Sequence, residues 1–101
     1  MSNGYVFAMK ALADIQVVPI GSGVSVRKEV QRAHAILEEA GIHAQLHPNG
    51  TNVEGELRDI FDAIVRVHET LHAEGTVRLA TYIKLGTRTD KDATLAGKLF
   101  R

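Results

Sequence analysis

The stretch Leu46-His47-Pro48-Asn49-Gly50-Thr51-Asn52-Val53-Glu54-Gly55-Glu56 lies between two amphipathic helical patterns, and its reading decides the fold. Pro48-Asn49-Gly50 is a turn signal in which each residue has a mechanism. Proline pre-sets φ, asparagine tolerates left-handed backbone, and glycine takes a positive φ without steric cost. Ile42 to His47 before the turn and Thr51 to Glu54 after it read as two short strands. The rest of the chain is then arranged around a central hairpin.

Upstream, Ala13, Ile15 and Val17 alternate with Asp14 and Gln16 within Leu12 to Ile20, the period of two of a strand with one apolar face. Pro19 has no N–H and is expected to end regular pairing there. After the connector Gly21-Ser22-Gly23, Ser25 is placed to cap a helix running to Ala40, with Val26, Val30, Ala33, Leu37 and Ala40 on one side. Gly41 sits where a left-handed C-cap is expected. Downstream, a helix is expected from near Glu56 to Glu74, ending at Gly75, with Leu57, Ile60, Phe61, Ile64, His68 and Leu71 on its apolar face. Val77 to Leu85 is the last strong strand.

The order is β-α-β-β-α-β, the split βαβ arrangement. It predicts an α+β, ferredoxin-like sandwich: a four-stranded antiparallel sheet with two helices on one face. The other face would carry Val18, Ile20, Ala80 and Tyr82, a candidate contact between subunits. Residues 1–10 read as an N-terminal extension and 11–101 as one domain.

Composition narrows the function. The 101 residues fit one small domain. Twelve basic residues balance twelve acidic ones, which leaves no electrostatic footprint for nucleic acid or an anionic membrane. There is no cysteine, so disulfides, thiolate metal sites and cysteine nucleophiles are excluded. Apolar runs are too short to span a bilayer, and the N-terminus lacks the signal-peptide pattern, so cytoplasmic residence is the expectation.

His68-Glu69-Thr70-Leu71-His72 matches H-E-x-x-H, in which two imidazoles one helical turn apart hold zinc and the glutamate acts as general base. Here His68 falls within the stripe expected to pack on the sheet, and no histidine follows His72 to complete the site. A packed or helix-end histidine pair is the expectation, with zinc hydrolysis as the competing reading. His43 and His47 are separated by about 13 Å of extended strand and cannot share a metal. His34 falls on the margin of the first helix and reads as a boundary residue. Gly21-Ser22-Gly23 fits no phosphate-loop spacing, although Ser22 and the following helix N-terminus could meet a polar ligand. No serine sits in a G-x-S-x-G elbow.

Taken in order, Pro19 and Gly21 after the first strand, Leu46-His47-Pro48, Gly50-Thr51, Glu54-Gly55, Ile83-Lys84, Asp90-Lys91 and Gly97-Lys98 resemble the thiamine-binding protein family. Its small members are ferredoxin-like domains of the YkoF-like superfamily. The resemblance implies binding of thiamine or its hydroxymethylpyrimidine fragment without chemical turnover, and no cofactor. Glu54 and Thr51 are the foremost site residues it implies, with His47, Asn52 and Ser22 as further polar groups and Phe61 or Tyr82 as a wall for the ring. It also implies dimers that pair into tetramers, the tail serving as an interface arm. Two other functions compete with this one: a structural or regulatory oligomerisation module without a ligand, and the H-E-x-x-H zinc hydrolase.

Overall fold

A computed structural model describes residues 9–21, 23 and 27–90. Strand β1 (Lys10–Ile20) buries Ala11, Ala13, Ile15, Val17 and Pro19 on one face and leaves Gln16 and Ile20 exposed on the other. This is the alternation expected of a half-covered strand. It is followed by α1 (Arg27–Glu39), β2 (His43–His47), β3 (Gly50–Glu56), α2 (Leu57–Ala73) and β4 (Arg78–Thr87). The sheet order is β2-β3-β1-β4, every neighbour antiparallel. The α+β, ferredoxin-like architecture read from the sequence is the one observed. The expected cap Ser25 lies outside the described residues.

Six side chains at the centre of the core are essentially inaccessible: Ile15 and Val53 from the sheet, Leu37 from α1, and Ile60, Val67 and Leu71 from α2. Burying each contributes about 1.5–3 kcal/mol. Gly41 and Gly75 follow the two helices with φ of 80° and 109°, as the sequence predicts. After α2 the Gly75 N–H donates to the His72 carbonyl and the Thr76 N–H to that of Leu71, which satisfies the helix end.

Two expectations are corrected. Pro19 does not end regular pairing, because β1 continues against β4 through Pro19↔Leu79 and Ile20↔Arg78. From Gln16 onward β3 no longer flanks β1, so one hydrogen-bonding edge is already vacant and a proline is accommodated. The buried face of α2 is also rotated from the expected stripe. Ile60, Ala63, Val67 and Leu71 are buried, whereas Phe61 is 46% exposed and Val65 54%.

Candidate functional site

The vacant edge of β1 creates the site. Pairing of β1 with β3 reaches Ile15↔Thr51 and stops, because the chain turns at Pro48-Asn49 into β2. Successive residues of an antiparallel strand direct their N–H and C=O to opposite neighbours. Alternate residues of Gln16–Val18 therefore turn main-chain groups toward the side β3 has left. α1 crosses above this gap. The result is a cavity of about 230 Å³ between the gap, the hairpin turn and α1. Its apolar walls come from Ile15, Val17, Val30, Ala33 and Leu37, and its remaining lining from Gln16, Val18, Pro48, Asn49, Gly50 and Thr51.

Gly50 is required where the turn closes on β1. A Cβ there would stand 2.7 Å from the Ile15 carbonyl oxygen, closer than real side chains come. Gly55 has a similar role lower on β3, where a Cβ would lie 2.8 Å from Ile42 Cγ2. The Gly50-Thr51 and Glu54-Gly55 pairs therefore hold the hairpin against its neighbours.

Thr51 is the buried polar residue of the cavity lining. It is 4% exposed, and its Oγ1 lies 3.4 Å from His34 Nδ1. His34 Nε2 in turn lies 3.4 Å from Glu38 Oε1, one helical turn farther along α1. A buried hydroxyl without a partner would be costly, and His34 supplies one.

The other predicted residues do not converge on Thr51. Asn52 and Glu54 pair in register with Asp14 and Leu12 of β1 and with Gln45 and His43 of β2. The period of two sends them to the sheet face away from the helices. His47 is on that face too, its Nε2 2.7 Å from Asp14 Oδ1. The Asn49 N–H donates to His47 Nδ1 at 3.2 Å, so the ring proton sits on Nε2 and is donated to Asp14. Phe61 stands on the exposed flank of α2, and Tyr82 is 62% exposed on the open face. Ser22 lies outside the described residues, as do Lys91, Gly97 and Lys98 of the tail.

His68 is not in the core. Its Nε2 lies 2.6 Å from Thr81 Oγ1 of β4, at the flank of α2, and His72 Nδ1 donates to the Thr76 carbonyl at 2.7 Å. The two rings are 6.1 Å apart between centroids and tilted by 56°. Among the described residues no group of three or more histidines or carboxylates is gathered to hold a metal ion.

Sequence reasoning read His34 as a boundary residue and Asp14 as a polar strand position, and gave neither a part in the site. Each is one polar residue on an amphipathic element, and only the register between elements shows what it meets.

The sequence model of the thiamine-binding protein family matches residues 13–101. Relatives include a UPF0045 protein of Synechocystis sp., 40% identical over 92 residues that span 91% of this chain and 76% of the relative. UPF0045 protein YqgV of Bacillus subtilis is 40% identical over 94 residues, 88% of this chain and 90% of that protein. Among solved structures, a hypothetical protein of Methanocaldococcus jannaschii superposes with a TM-score of 0.84 at 29% identity, covering 91% of this chain and 94% of its own. A candidate thiamine biosynthesis/salvage protein of Thermotoga maritima shares the fold, with a TM-score of 0.78 at 22% identity over 90% of this chain and 96% of that one. The family match begins within β1 and takes in every later strand and both helices, and the chain belongs to the thiamine-binding protein family.

Proposed function

We propose that the cavity beside Thr51 binds thiamine or its hydroxymethylpyrimidine fragment, without chemical turnover, in an oligomeric cytoplasmic protein. One observation carries this reading: the buried Thr51 and a vacant strand edge line the same aliphatic-walled cavity. An aminopyrimidine presents an exocyclic amine beside ring-nitrogen acceptors. A strand edge presents N–H donors beside carbonyl acceptors, the complementary set. Aliphatic side chains take the flat ring faces. The volume is below the roughly 300–1,000 Å³ usual for drug-sized ligands and suits one ring, leaving the thiazolium to extend outward. Membership of the family, and the likeness to a candidate thiamine biosynthesis/salvage protein, support the ligand class. No described helix is long and apolar enough to cross a membrane.

Glu54, Asn52 and His47 have a different place in this reading. They lie on the open sheet face with the exposed Ile20 and Tyr82, where a second sheet would pack. Phe61, Val65, Ile83 and Leu85 form a second exposed apolar group, around α2 and the edge strand β4. Two such surfaces are what a dimer of dimers needs. They also favour the second reading, an assembly module without a ligand.

Calorimetric titration with thiamine and with hydroxymethylpyrimidine tests the choice. Micromolar binding, weakened about ten-fold (roughly 1.4 kcal/mol) by Thr51→Val and unchanged by Glu54→Ala, is expected. The opposite ranking would move the site to the open face. Absence of heat with either compound, on folded oligomeric protein, would leave the assembly reading in possession.

A further inference from the structure

We infer that His34 fixes the hydrogen-bonding polarity of Thr51, so that the cavity accepts a ligand donor and discriminates against an acceptor at the same position. This rests on the reading above and adds the residue that would set its specificity. The side chain of His34 is 17% exposed, between Thr51 on β3 and Glu38 on its own helix.

The inference follows from the inventory of protons. The Glu38 carboxylate lies 3.4 Å from Nε2 and not beside Nδ1, so in the neutral ring its negative charge favours the tautomer of His34 that carries its proton on Nε2. Nδ1 is then a lone pair directed at Thr51 Oγ1, 3.4 Å away. Two lone pairs repel, so the Thr51 hydroxyl turns its single proton to Nδ1. Only the oxygen's remaining lone pairs are left for the cavity that Thr51 lines. The Thr51–His34 distance is at the long end of hydrogen bonding, as in sites that tighten once a ligand is in place. An exocyclic amine meets this acceptor, whereas a carbonyl in its place would set oxygen against oxygen. A polar site that leaves one partner unsatisfied discriminates more sharply than an apolar one.

The probes are thiamine and its 4-oxo analogue, in which a carbonyl replaces the amine and the adjacent ring nitrogen carries a proton, so the change in preference between wild type and variants is what reports on Thr51. Titrating full-length protein with each, we expect wild type to prefer the amine about ten-fold or more. Glu38→Lys replaces an acceptor by an ammonium that only donates. The His34 proton then moves to Nδ1, the Thr51 proton turns to the cavity, and the preference falls several-fold or inverts. His34→Phe removes the constraint and brings the ratio toward one. Thr51→Ser keeps the wild-type ratio, and Thr51→Val loses affinity for both compounds. An unchanged ratio in both Glu38→Lys and His34→Phe would overturn the inference while leaving the binding site intact.

A readout without ligand separates the two levels. Nitrogen NMR of the free protein is expected to show His34 Nδ1 unprotonated in wild type and protonated in Glu38→Lys. A wild-type ring protonated on Nδ1 would overturn the polarity argument whatever the protein binds. Failure of wild type to bind either probe would overturn the ligand reading, and the proposed specificity with it.

Discussion

Val53 and its neighbours Asn52 and Glu54 are adjacent in sequence, yet they live in two different solvents. Val53 is fully buried under the helices, whereas the side chains on either side of it are only partly covered on the open face. The covered face holds the chain together and shapes the cavity. The open face is a polar surface in its β2–β3 half, with His43, Gln45, His47, Asn52, Glu54 and Asp14, and a more apolar one toward β4, with Val18, Ile20, Ala80 and Tyr82. One strand thus contributes to stability on one side and to recognition or assembly on the other. A residue's role is set by its parity as much as by its type.

The sharpest way to break that comparison is to move a charge by one residue. Val53→Asp places a carboxylate in the core without a partner and is expected to remove at least about 4 kcal/mol, enough to leave a small domain unfolded. Asn52→Asp is expected to change stability by less than about 1 kcal/mol. Urea denaturation followed by circular dichroism distinguishes them. Comparable losses would mean that the open face is as enclosed as the covered one. The same contrast exists on α2. Ile60→Ala is expected to cost about 2–5 kcal/mol. Phe61→Ala, at the neighbouring position, is expected to leave monomer stability nearly unchanged and to lower oligomer affinity, measurable by sedimentation equilibrium.

The sheet and its topology were legible because period-two alternation in β1 and β4, and the turn at Pro48-Asn49-Gly50, leave few alternatives. The face of α2 was not. Leu57, Ile60, Phe61, Ala63, Ile64, Val65, Val67 and Leu71 together occupy too much of the helix circumference for periodicity to choose a centre. Packing against the sheet chose Ala63 and Val67, which displaced Phe61 and His68 to the flank. The candidate site was legible only as a neighbourhood. Turn chemistry pointed to residues 47–54 but could not divide them between faces, and although β1 read as longer than β3, nothing in the sequence showed which end of β1 would be left uncovered. That difference in strand length opens the cavity, and it brings in Gln16 and Val18, with His34 behind Thr51, residues without a motif.

Two polar links between elements, a hydrogen bond and an ion pair, give the smallest effects and refine the comparison further. His47 and Asp14 are at 2.7 Å with side chains 26% and 46% exposed, and they tie β2 to β1 across the intervening strand. His47→Ala removes that bond and the acceptor for the Asn49 N–H, and about 0.5–1.5 kcal/mol is the expected loss. Arg32 and Glu74 are at 3.0 Å, with 40% and 47% exposed, and link α1 to the end of α2. Hydrogen bonding to Glu74, followed by its charge, raises the Arg32 guanidinium above its already high value. A raised folded pKa confers stability that is present at lower pH and lost only as pH rises through that value. The Arg32 guanidinium therefore stays charged across the whole range in which the protein would be studied. Exposed pairs are screened by salt and ordered at an entropic cost. Arg32→Ala is accordingly expected to leave the urea midpoint unchanged at physiological salt, whereas His47→Ala should lower it. If Arg32→Ala were the more damaging, α1 would be held by its link to the end of α2 rather than by Ala33, Ile36 and Leu37. The cavity beneath α1 would then depend on a surface contact for its roof.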